Sequence, residues 1–179
     1  AYYRHLEREG WMRIIRTRAE LDDHWAACEA WDAAGAEPSD APPLGVVLAM
    51  EGADPILEPE MLQEWRDLGL RFLGLSHYGP CRYAGGTDTS GGLTDLGRRM
   101  LPEMARLGVT LDMTHTTDAA FWEALEIYDG PIHASHHNCR ALAPHQRQLD
   151  DAQIKAIVDR DGVIGAALDV WMMVPGYIK

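Results

Sequence analysis

The chain has 179 residues, 46% of them hydrophobic, which is enough apolar surface for a single domain with a real core. A net charge of -12 without any Lys/Arg-rich run makes nucleic acid a poor partner, and no apolar run approaches the roughly 18 residues a membrane span needs. Cys28, Cys81 and Cys139 are odd in number and form no CxxC. They argue against a disulfide framework and for a reducing compartment. No basic-then-apolar leader opens the sequence, so a cytoplasmic location is expected.

In chain order, residues 2–9 read as a helix stopped by Gly10, and residues 11–16 as a first strand. Thr17 and Glu20 have capping-box spacing for a helix running to about residue 34. A loop rich in Ala, Pro and Asp leads to the apolar run 45–51 (GVVLAME), and a helix over 58–68 precedes the run 70–77 (LRFLGLSH). Residues 78–92 form a long Gly-rich polar connection, which at that length is either functional or disordered. Leu93, Leu96, Met100, Met104 and Leu107 then recur at helical spacing before the run 109–115 (VTLDMTH). Helices over 117–128 and 150–160 flank the run 131–136 (PIHASH), and residues 163–169 (VIGAALD) are the sixth strand candidate. Strand and helix alternating six times predict an α/β fold with a parallel sheet.

Glu51, His77, His115 and His136 each stand where an apolar run stops. Side by side, those strand ends would form a ring of carboxylate and imidazole at the sheet's carboxyl edge, where α/β barrels carry out chemistry. Strict alternation groups Glu51 with Ala49 and Val47, His77 with Leu75 and Leu73, His115 with Met113 and Leu111, and His136 with Ala134 and Ile132 on the barrel-facing side. His133, Ser135, Asp112 and Thr114 would then face the helices. Imidazole and carboxylate suit zinc or a similar divalent ion, and a carboxylate can bridge two. A single histidine at any of these positions is most simply a core or loop residue; four at equivalent positions point to a site. His5, His24 and His145 read as surface residues, His137 as a loop or supporting residue, and Asp169 as a further strand-end group able to reach the site.

No Gly-rich phosphate turn follows the first strand, which favours a (β/α)8 TIM-type barrel over an open doubly wound sheet. A full barrel takes roughly 250 residues. Residues 1–179 are therefore expected to supply about six of eight units, the central part of a single barrel without its first and last strands.

The combination of MEGA (50–53), LGLRFLGLSH (68–77), GGLTDLG (91–97), LGVTLDMTH (107–115), PIHASH (131–136), RQLDD (147–151) and DGVIG (161–165) resembles the membrane (renal-type) dipeptidases, peptidase family M19, from about residue 45 to 165. The resemblance implies an amidohydrolase-like barrel that hydrolyses dipeptides with a hydroxide bridging two zinc ions. It implies that Glu51 bridges the metals, that His115 and His136 complete one metal's shell, that His77 stabilises the developing oxyanion, and that Arg147 grips the substrate's terminal carboxylate. The family's His-x-Asp on its first strand and its proton-shuttling aspartate on its last have no counterpart here. Tyr78 stands where a small polar residue is more common, and Gln148 replaces an Asn beside the arginine. Two other readings stay open: a different amidohydrolase-like reaction, such as deamination or lactone hydrolysis, and a non-catalytic barrel that binds peptide or metal. The oligomeric state, a homodimer among the options, is not legible.

Overall fold

The computed structural model describes residues 2–177; Ala1, Ile178 and Lys179 lie outside them. Every predicted apolar run forms strand. β1 (Met12–Ile14) pairs with β2 (Leu44–Val46). β3 (Leu48–Glu51), β4 (Leu70–Gly74), β5 (Thr110–Asp112), β6 (Ile132–His137) and β7 (Val163–Ala166) follow in chain order across a five-stranded sheet. All the pairings are parallel. The run predicted as one strand over 45–51 breaks at Val47, which is why two sheets appear instead of one.

Helices supply the crossovers that parallel pairing requires. α1 (Tyr2–Arg8) precedes β1; α2 (Arg18–Ala33), α3 (Leu62–Asp67), α4 (Asp95–Leu107), α5 (Asp118–Ile127) and α6 (Asp151–Val158) connect successive strands; α7 (Val170–Met173) follows β7. Their starts are set by side chains that accept from otherwise orphaned amides. Thr17 with Glu20 and Asp150 with Gln153 form complete capping boxes, while Thr94 and Thr117 cap α4 and α5. α4 ends at Gly108, whose φ of 63° is left-handed.

The core lies between the sheet and the helices. Leu101, Met104, Phe121 and Ala124 from α4 and α5 share one buried cluster with Leu73, Leu75, Leu111, Met113, Ile132 and Ala134. Burial of each large member stabilises the fold by about 1.5–3 kcal/mol. This corrects the expected orientation of three strands. The residues grouped with His77, His115 and His136 face the helices, and it is His133, with Phe72 and Asp112, that lies on the opposite face of the sheet. Alternation fails because parity does not carry through to the histidines. β4 and β5 end at Gly74 and Asp112, three residues short of His77 and His115. His115 sits at φ 67°, and β6 shifts register between Ala134 and His137. A turn and a bulge each re-aim a side chain. In β3 the grouping holds for Ala49 and Glu51, which are exposed while Met50 packs on the core; Val47 lies at the break before the strand.

The 78–92 connection is ordered. Tyr78 bridges to Thr87 and Ala84 to Leu93, and the buried Tyr83 hydroxyl donates to Ile56 O at 2.6 Å. Gly86 lies so close to the His77 carbonyl that no side chain fits between them. His24, expected at the surface, is buried on α2 against Gly45, with Nε2 3.7 Å from the Cys28 sulfur.

Candidate metal centre

Four strand ends deliver their polar residues to one point. Nε2 of His115 and Nε2 of His136 lie 3.0 and 3.1 Å from the same oxygen, Glu51 Oε1, and Nε2 of His77 is 3.9 Å from it. The His115 ring stands 4.4 Å from that of His77 and 5.4 Å from that of His136. Ligand atoms of Glu51, His77 and His115 all fall within 4.8 Å of one another, close enough for one cation.

His136 stands outside that group of three yet approaches the same Glu51 oxygen. Second contacts distinguish the histidines. A ligating imidazole needs its other nitrogen engaged, so that the coordinating nitrogen keeps its lone pair. Thr87 Oγ1 lies 2.9 Å from His115 Nδ1, and Ser135 Oγ lies 2.8 Å from His136 Nδ1. Both partners leave Nε2 facing Glu51. Among the described residues His77 has no such hydroxyl; its ring packs edge-on against Tyr78. His115 and His136 thus each have a hydroxyl against Nδ1 and Nε2 turned toward Glu51.

Burial, followed by the charges of Arg147, His77 and His136, pushes His115 down to about 3, so it is a neutral donor at any ordinary pH. Arg147 is 3% exposed. Its Nη2 donates to His136 O at 3.0 Å and toward His115 Nε2 at 3.3 Å, whereas Nε and Nη1 are buried with no partner among the described residues. Two buried N–H-bearing nitrogens lacking an acceptor are costly. The Arg147 loop is anchored by Arg140, which forms a two-bond ion pair with Asp118 at the start of α5 and donates to Gln148 O. Gln148 itself is buried and bonds Asn138 N and Met172 O, which gives it a structural place.

Glu51, His77, His115, His136 and Arg147 line a cavity of about 360 Å³, together with Tyr78, Asp169 and Trp171. Asp169 therefore does reach the site region, as the strand-end reading allowed. A larger apolar cavity of about 440 Å³ lies alongside, between α6 and β7, and His137 points there. Burial, then Arg147, holds His137 down at about 3. His133 pairs with Asp112 at 3.6 Å, away from Glu51. Thr87 and Ser135 were invisible to pattern reading. One sits in a long loop and the other beside a histidine, and only the folded positions reveal their roles.

A parallel α/β sheet with one carboxylate and three imidazoles at its carboxyl edge defines a metal-site protein of the barrel type. Residues 4–173 match the family described as membrane dipeptidase (peptidase family M19), and the chain belongs to that family. A protein from the PQQ-III 3′ region of Acinetobacter calcoaceticus, itself uncharacterized, is 35% identical over 136 residues, 71% of this chain and 43% of that protein. A dipeptidase of Aspergillus oryzae is 29% identical over 112 residues, 60% of this chain and 26% of its own length. A solved metallopeptidase from Rhodobacter sphaeroides, liganded with a phosphinate mimic of the dipeptide L-Ala-D-Ala, matches 92% of this chain and 46% of its own with a TM-score of 0.76 and 29% identity. The chain spans less than half the length of the curated relatives it matches.

Proposed function

We propose that the complete protein carrying this chain is a zinc-dependent dipeptidase, with Glu51, His115 and His136 as ligands on this chain. The observation that carries the proposal is the convergence of two Nε2 atoms on one Glu51 oxygen, at 3.0 and 3.1 Å, beside a buried arginine with unused donors. The donor set fits the metal: imidazole and carboxylate, hydroxyls within hydrogen-bond reach of Nδ1 on His115 and His136, and a cavity large enough for a small ligand. Bound there, zinc supplies Lewis acidity that lowers the pKa of an attacking water and polarises a carbonyl. A second ion is part of the reading, with Glu51 shared between the two; its His-x-Asp pair is not found in these 179 residues.

The chain's own groups then divide the work. Arg147 takes the terminal carboxylate of the substrate with its unpaired donors, which fixes the scissile bond relative to Glu51. His77, exposed at the cavity wall, donates to the carbonyl oxygen as negative charge develops there. Tyr78 and Trp171 close the apolar sides of the cavity.

The test is hydrolysis by the complete protein of free dipeptides, their C-terminal amides, free amides and lactones, with and without a chelator. Dipeptide hydrolysis that is lost on chelation, returns with zinc and weakens for the amides supports the proposal. Metal-dependent turnover of lactones with none of dipeptides overturns it in favour of another amidohydrolase-like reaction. Binding of dipeptides without turnover favours a non-catalytic barrel.

A further inference from the structure

We infer that Asp112 is the positioning residue that holds the His115 turn and the His136 bulge in one frame; the inference rests on the metal-binding reading above. β5 and β6 pair only through Leu111↔Ile132 and Asp112↔His133, and the last ladder bond runs from Met113 N to His133 O at 2.8 Å. Beyond it the strands part, one into a turn and the other into a register shift. Each parting frees an amide that must find an acceptor. Asp112 Oδ1 supplies both, accepting from Thr114 N at 3.0 Å and from Ser135 N at 3.0 Å.

Those amides belong to the residues immediately before the two proposed ligands. A single oxygen therefore ties the backbone entering His115 to the backbone entering His136. The side chains continue the link: Thr114 Oγ1 lies 3.1 Å from Ser135 Oγ, which in turn lies 2.8 Å from His136 Nδ1. On the other side of the carboxylate, His133 Nε2 stands 3.6 Å from Oδ2, and Phe72 packs edge-on against the His133 ring. Asp112 is 7% exposed, so water does not offer the amides an easy substitute. Asp112 touches no metal in this arrangement. It fixes the separation of two nitrogen donors, and a mis-set separation costs metal affinity, typically about 10–100-fold for a partner of this kind.

Zinc affinity of the complete protein, measured by competition with a chromophoric chelator, tests this, with folding followed by circular dichroism. The expected result is a loss of about 10–100-fold for D112A, with D112N, which keeps an acceptor oxygen in place, within about threefold of wild type. Leu111→Ala, a core truncation on the same strand, controls for simple destabilisation and should bind zinc as wild type does. If D112A does not fold, D112S, whose oxygen is one bond too short to reach both amides, is read in its place. Folded D112A or D112S with wild-type affinity overturns the inference while leaving the metal site intact. A wild-type protein that binds no zinc removes the metal reading itself, and this inference with it.

Discussion

The hydroxyl of Thr87 lies 2.9 Å from Nδ1 of His115, while Nε2 of the same ring faces Glu51. A loop residue 28 positions away thus engages one nitrogen of a buried imidazole while the other is turned to the carboxylate. Thr87→Val keeps the shape and removes the hydrogen bond. Zinc affinity of the complete protein should fall by about 10-fold, as should that of Ser135→Ala, which frees His136 Nδ1 in the same way. Unchanged affinity in both variants would mean that the hydroxyls do not set the tautomers.

Arg147 carries two buried donors without acceptors, so its removal should be felt through the substrate's charge. Arg147→Met is expected to lower kcat/KM for dipeptides by about 2–5 kcal/mol, a factor of at least roughly 30. For the matching C-terminal amides the change should be much smaller, because no carboxylate is lost. Equal losses on both substrates would assign Arg147 to holding His136 O in place.

Gly86 has no room for a side chain: a Cβ there would overlap the His77 carbonyl oxygen and come within 2.7 Å of Gly79 O. Gly86→Ala must therefore displace the segment that carries His77. A shift of about 1 Å at a positioned group can cost roughly 100-fold in rate. Steady-state kinetics should show a fall in kcat of up to that size, with zinc content retained. Lost zinc would show instead that the loop supports the metal through Thr87.

Tyr128, fully buried at the end of α5, donates to Val109 O at 2.7 Å. Burial pushes its phenol up to about 12 from 10.0. The folded state thus keeps a proton that the unfolded state releases between these values. Stability from this group is complete below pH 10 and is lost as pH rises toward 12, by about 2–3 kcal/mol. Urea unfolding midpoints measured between pH 9 and 11.5 should fall more steeply for wild type than for Tyr128→Phe. Parallel slopes would show that Tyr128 does not titrate differently on unfolding.

Much of this was legible in the sequence because it depends on local pattern. The capping boxes at Thr17 and Asp150, the apolar stripe from Met100 to Leu107 and the six apolar runs each encode their own element, and the strand ends located Glu51, His77, His115 and His136. What pattern could not show was the path of the chain after the strands stop. Positive φ at His115 and the register shift in β6 turn the histidines away from the face of the apolar residues that alternation grouped with them. The histidines meet at Glu51 all the same, by a route that alternation did not anticipate. His24 was missed for a similar reason: a polar residue in an otherwise unremarkable helix is buried only because Gly45 leaves space for its ring.

The most direct measurement is anomalous diffraction at the zinc edge from crystals of the complete protein. The account predicts an anomalous peak within bonding distance, about 2.0–2.2 Å, of Glu51 and of Nε2 on both His115 and His136, with His77 outside that shell. A peak held by His77 with His136 unattached, or zinc bound elsewhere with these four side chains free of metal, would contradict it.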